Sequence, residues 1–134
     1  MTLGFTGTQK GIAPRQRKAV RQLLWNVQQL HLGDCLGADA EAHEEAVALG
    51  IETHSHPPSD WRKRACLEYN VVWPPRPYLL RNKDIVECGF DGLIAAPNGF
   101  VEEQRSGTWA TVRAARKLKR RIWIVKPDGK VVVE

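Results

Sequence analysis

The run Arg105-Ser106-Gly107-Thr108 has the residue types that hold an anion, and it opens a helical pattern that continues to Lys119. The first turn of a helix leaves backbone N–H groups without intrahelical partners, at the positive end of the helix dipole. Gly107 lets a ligand approach the backbone, Ser106 and Thr108 add hydroxyls, and Arg105 adds a guanidinium suited to two-point contact with phosphate. Ser106 is equally suited to capping the helix. Just upstream stand Glu102 and Glu103. They are either a solvated loop pair or a carboxylate able to activate water or stabilise an oxocarbenium-like centre.

Other polar residues fall at the ends of apolar runs: Thr6-Gly7-Thr8, Gly33-Asp34 and, on a helix, Arg81-Asn82. Asp34 reads either as a ribose-hydroxyl acceptor or as a cap for the next helix. Asp39 reads as a cap or as backbone support, with His43 one turn later on or beside the buried face. Asn82 points inward and must find hydrogen-bond partners. The run Gly4 to Gly11 has neither the Walker spacing nor G-x-G-x-x-G, which argues against ATP hydrolysis and ordinary nicotinamide binding. His31, His54 and His56 show no metal-ligand spacing, and Cys35, Cys66 and Cys88 show no paired spacing, so no metal and no cofactor are expected.

The elements that must position these groups alternate between strand and helix. Short apolar runs at 3–5, 30–33, 51–54, 91–96 and 122–125 read as strands; helical periodicity covers 14 to about 29, 38–49, 78–88 and the segment from Ser106. Residues 56–77 form a proline-rich irregular stretch with room for a short helix near 61–68. Pro127-Asp128-Gly129 turns the chain into Val131-Val132-Val133, an antiparallel edge strand. The expected fold class is therefore α/β: a Rossmann-like three-layer sandwich, a mainly parallel sheet with helices on both faces and a C-terminal antiparallel edge strand. Such sheets collect ligands beyond the carboxyl ends of their strands, which places the polar segments on one rim.

The 134 residues suffice for a single domain spanning 1–134. No apolar run is long enough to cross a bilayer and no leader pattern opens the chain, so a cytoplasmic location without membrane contact is expected. The net charge of +5 concentrates in two basic segments, near Lys10 to Arg21 and Arg113 to Arg121. The second forms a stripe with Trp109 on its edge, the basis of a nucleic-acid-binding alternative that ranks third because it lacks interleaved aromatics. Trp25 and Trp109 both fall off the helical core faces, which points to a homodimer.

Together, Gly4-Phe5-Thr6-Gly7, Gly33 to Asp39, Arg81-Asn82, Asp91 to Ala95 and Ser106-Gly107-Thr108 resemble, in order and over nearly the whole chain, the SLOG superfamily. That superfamily of Rossmann-like domains includes the Lonely-guy phosphoribohydrolases and the Smf DNA-processing proteins. The resemblance implies a nucleotide or nucleotide-derived small molecule bound at the glycine-threonine helix start, by Thr6, Gly7, Thr8, Gly33, Asp34, Arg81, Asn82 and Arg105 to Thr108. It also implies, as the alternative, N-glycosidic hydrolysis of a nucleoside monophosphate. The Lonely-guy enzymes carry a Glu three residues beyond the Thr; here that position is Thr111, and Glu102 or Glu103 is the available substitute.

Overall fold

Period-two patterning turns Leu3 and Phe5 of the first strand onto one face of a sheet, where they join Leu30, Leu32, Ile94 and Ala96 in a buried cluster. Leu93, Ala95, Ile122 and Ile124 occupy the other face. The computed structural model describes all residues, 1–134. In chain order the elements are β1 (Thr2–Gly7), α1 (Pro14–Leu23), β2 (Gln29–Leu32), α2 (Ala38–Ala48), β3 (Glu52–Ser55), β4 (Val71–Val72), α3 (Tyr78–Cys88), β5 (Gly92–Ala96), α4 (Gly107–Lys117), β6 (Ile122–Val125) and β7 (Val131–Val133). A 3₁₀ turn spans Trp61–Lys63 in place of the expected short helix.

All seven strands form one sheet in the order β4-β3-β2-β1-β5-β6-β7. Every pairing is parallel except β6 with β7, where Trp123 faces Val133 across an antiparallel ladder. The α/β Rossmann-like class is as expected. α1 ends well before residue 29 because Gln28 already donates its N–H to the Met1 carbonyl (3.0 Å) to start the β2 ladder. β4 went unforeseen inside the proline-rich stretch, being two residues long. No helix is long and apolar enough to cross a membrane.

Trp109 corrects the sequence reading. It is 4% exposed and packs in the second cluster, beneath α3 and α4, so it contributes nothing to a subunit interface or to base stacking. Trp25 lies off the core face and is 75% exposed, with no loop of this chain covering it. The basic stripe is also partly neutralised. Arg113 and Arg116 both bind Glu102, and Arg116 binds Glu134 as well.

α1 and α2 are held together by charge as well as by packing. The buried Glu45 carboxylate accepts Arg17 Nε at 2.8 Å and Arg21 Nε at 2.7 Å. The Arg21 hydrogen bond first, with Arg17 adding to it against the cost of burial, lowers Glu45 from 4.5 to about 2. The native state thus binds fewer protons here than the unfolded chain between those two pH values. The stabilisation is present above pH 4.5 and is lost as pH falls towards 2. Thermal melts followed by circular dichroism should show the wild-type midpoint falling more steeply than that of Glu45→Gln across this window, with the wild type the more stable above it.

Candidate functional site

β1 and β5 run side by side, paired from Leu3 with Gly92 to Gly7 with Ala96. The chain leaving β1 turns to the face covered by α1 and α2, whereas the chain leaving β5 turns to the face covered by α3 and α4. Two neighbouring strands whose continuations part in this way leave a crevice at their carboxyl ends. It measures about 500 Å³. Gly7 and Thr8 form one side, and Ser106, Gly107, Thr108 and Trp109 the other.

The helix start is built as a capped but open end. Ser106 sits in extended conformation as the N-cap, and its hydroxyl accepts the Trp109 N–H at 3.3 Å. Thr111 returns its hydroxyl to the Gly107 carbonyl at 3.0 Å. Ser106 therefore does cap, and Gly107 and Thr108, whose N–H groups come one turn too early for intrahelical bonds, line the crevice. A side chain at Gly107 would strike the Tyr78 hydroxyl, so glycine is what lets α3 and α4 meet at this rim. Across the gap, Thr8 fixes the β1 loop. Its N–H bonds Ala96 O at 3.0 Å, and its hydroxyl accepts the Lys10 N–H at 3.1 Å.

Charge in the crevice is mainly positive. Arg105, Lys10 and Lys63 line it, all three exposed and none in an ion pair, against the single carboxylate of Glu103. Lys10, Lys63, Tyr78, Asn98 and Gly99 were missed from sequence. Lys63 is delivered by the 3₁₀ turn in the irregular loop, where no periodicity indicates direction.

The remaining residues expected at the site do not line this crevice. Thr6 is half-buried, one position short of the rim. Arg81 is 3% exposed, and its Nη1 donates to Gly33 O (2.6 Å) and His56 O (3.1 Å), while Nε donates to Asn82 Oδ1 (2.9 Å). Its guanidinium lies 4.8 Å from the centre of the Tyr78 ring, which covers it. Gly33 and Asn82 are thus committed to Arg81. Asp34 is fully buried at a positive φ of 54°, its Oδ2 accepting Arg64 Nε at 2.9 Å. It neither caps α2, whose N-cap is Gly37, nor reaches the crevice. Asp39 supports backbone as expected, accepting the Cys35 N–H at 3.1 Å. Burial pushes its carboxyl up to about 6, against the nearby Arg81 charge that pulls it down. His43 packs against Tyr69 with ring centroids 4.1 Å apart and the planes tilted by 36°. Glu102 is held by Arg113 and Arg116, hydrogen bonds that keep its carboxyl below the ordinary range. Glu102 does not line the crevice.

The same architecture recurs in solved structures. The chain superimposes on the molybdenum cofactor binding protein of Rippkaea orientalis with a TM-score of 0.71 at 20% identity, over 92% of this chain and 75% of that one. The Moco carrier protein of Chlamydomonas reinhardtii gives 0.61 at 21% identity, over 91% and 74%. DNA processing protein A of Streptococcus pneumoniae gives 0.67 at 16%, over 92% of this chain but 49% of that one, so this chain spans about half its length. The chain shares with these structures the Rossmann-like α/β fold. No protein-family model and no curated protein sequence matches it.

Two arginines of this chain should respond oppositely to truncation. Arg81→Ala leaves Gly33 O, His56 O and the charge of Asp39 without their partner and should cost about 3–5 kcal/mol in urea unfolding. Arg105→Ala, at an exposed unpaired side chain, should change stability by less than about 0.5 kcal/mol.

Proposed function

We propose that the crevice binds a phosphate-bearing nucleotide or nucleotide-derived small molecule. The phosphate is set against the Gly107 and Thr108 amides and neutralised by Arg105, Lys10 and Lys63, with the β1 loop at Gly7 and Thr8 closing the other side. The observation that carries this reading is the convergence of two open helix-start amides and three unpaired cations at the point where the strand order reverses. Two proteins of the same fold are named for binding the molybdenum cofactor, which makes that cofactor a second ligand to test at the same crevice.

Mono-, di- and cyclic nucleotides, with the molybdenum cofactor as a separate arm, should be screened by thermal shift. At least one should raise the melting midpoint, by an amount that grows with ligand concentration. Arg105→Ala and Lys63→Ala should each weaken that ligand about tenfold or more, since a charge-assisted hydrogen bond contributes about 1.5–3 kcal/mol. No shift with any of these ligands would end the proposal.

Hydrolysis of a nucleoside monophosphate at its N-glycosidic bond is the second reading, and one observation favours it. Glu103 lines the crevice near Gly99 without an ion pair, free to act on a sugar placed there. Chromatography for free base after incubation with nucleotides decides it: release that Glu103→Gln abolishes supports turnover, and release unchanged by that variant removes Glu103 from the reaction.

A further inference from the structure

The second face of β2 and β3 is not apolar. In-register pairing sets Gln29 beside Glu52 and His31 beside His54, and His56 follows on the same side just past the end of β3. All three imidazoles are buried, with ring centroids 4.5 Å (His31 to His54) and 5.0 Å (His31 to His56) apart. Their hydrogen bonds assign the lone pairs. Gln29 donates from Nε2 to Glu52 at 2.6 Å, so its Oε1, 2.7 Å from His31 Nε2, must accept, and His31 carries its proton on Nε2. The His31 Nδ1 lone pair is then directed at His56 Nε2, 2.8 Å away. His54 is used up: its Nδ1 accepts Trp73 Nε1 at 3.1 Å and its Nε2 contacts Glu52 at 2.9 Å.

From these observations we propose that His31, His56 and Cys88 form a binding site for a borderline-soft transition-metal cation of the zinc type. Cys88 is the last residue of α3, and donor atoms of the three side chains all lie within 4.8 Å of one another. Two imidazoles and a thiolate from three different elements match the donor preference of zinc-type ions, and a water supplies the remaining tetrahedral position. Two nitrogens on one zinc sit about 3.3 Å apart at Zn–N of about 2.05 Å, so the histidine pair needs to open by only about half an ångström. A cleft of about 390 Å³ beside Cys88 and His56 gives the ion its path; Asp84 at its wall is paired with Arg76, which leaves Glu87 as its unpaired carboxylate. Outer partners hold the rings in aim: the Glu52–Gln29 relay on the His31 N–H, and Trp73 stacked on His56 at 5.2 Å and 15°. On binding, the His56 proton moves from Nε2 to Nδ1 and the Cys88 thiol gives its proton to solvent, one proton released per ion.

The probe is cobalt(II) added to the reduced full-length protein, with zinc as competitor. The wild type should develop a thiolate-to-cobalt charge-transfer band and tetrahedral visible bands, and zinc should displace both. Cys88→Ser should lose the charge-transfer band while keeping its circular dichroism, whereas Cys66→Ser, at an exposed cysteine, should retain it. Gln29→Ala should weaken cobalt about 10–100-fold by freeing the His31 ring. No charge-transfer band in folded wild type, or an undiminished one in Cys88→Ser, overturns the site.

Discussion

Two parallel strands can share a ladder while the chains leaving them go to opposite faces, and that single constraint generates the crevice. β1 delivers the chain to the α1–α2 layer and β5 delivers it to the α3–α4 layer. Neither exit can close over the other without crossing the sheet. The gap then stays open because small residues stand at its base. A side chain at Gly7 would run into Ala38 and the Ala96 carbonyl, and one at Gly107 into Tyr78. The site is thus a consequence of connectivity, and the residues around it only decide its charge.

Arg81 shows how a residue of the right type for a ligand can be used for structure instead. Its guanidinium is buried beneath Tyr78 and satisfied by carbonyl oxygens at the ends of β2 and β3 and by Asn82. An unpaired buried cation is costly, so these oxygens and the buried Asp39 nearby define a position that the guanidinium cannot easily leave. The ring covering Arg81 places its hydroxyl against Gly107. Through Tyr78 the carboxyl ends of β2 and β3 are therefore in mechanical contact with the start of α4, although none of Gly33, Asp34, Arg81 or Asn82 lines the crevice.

Patterning made the layers legible. The strand–helix alternation, the antiparallel turn at Pro127-Asp128-Gly129 and the Ser106 to Thr108 helix start all correspond to elements of the fold. What escaped was set by tertiary contact. Trp109 falls one and two helical turns before Arg113 and Arg116, on the edge of the basic stripe, but the close approach of α3 to α4 covers it. Asp34 has a residue type compatible with ribose, capping or an internal ion pair, and only the arrival of Arg64 from a distant loop selects the last. Lys63 had no periodicity to read, since its direction is fixed by a short turn capped by Asp60.

Connectivity also explains the histidines. α3 leads into β5 and α4 into β6, so the second helical layer is drawn towards that half of the sheet; α3 reaches β1 and β2, and α4 reaches β1, β5 and β6. The second face at β3 is left for side chains and the loop before α3 to cover. Large aliphatic residues there would leave an apolar patch at the sheet edge, whereas charged ones would be desolvated by Trp73 and the end of α3. Neutral imidazole fits between these limits: flat enough to stack, and able to satisfy one nitrogen on Glu52 or Gln29 while the other meets a neighbour. The same compromise that covers the sheet leaves two ring nitrogens gathered beside a thiol, so a face that began as a packing problem acquires the residue types of a ligand set.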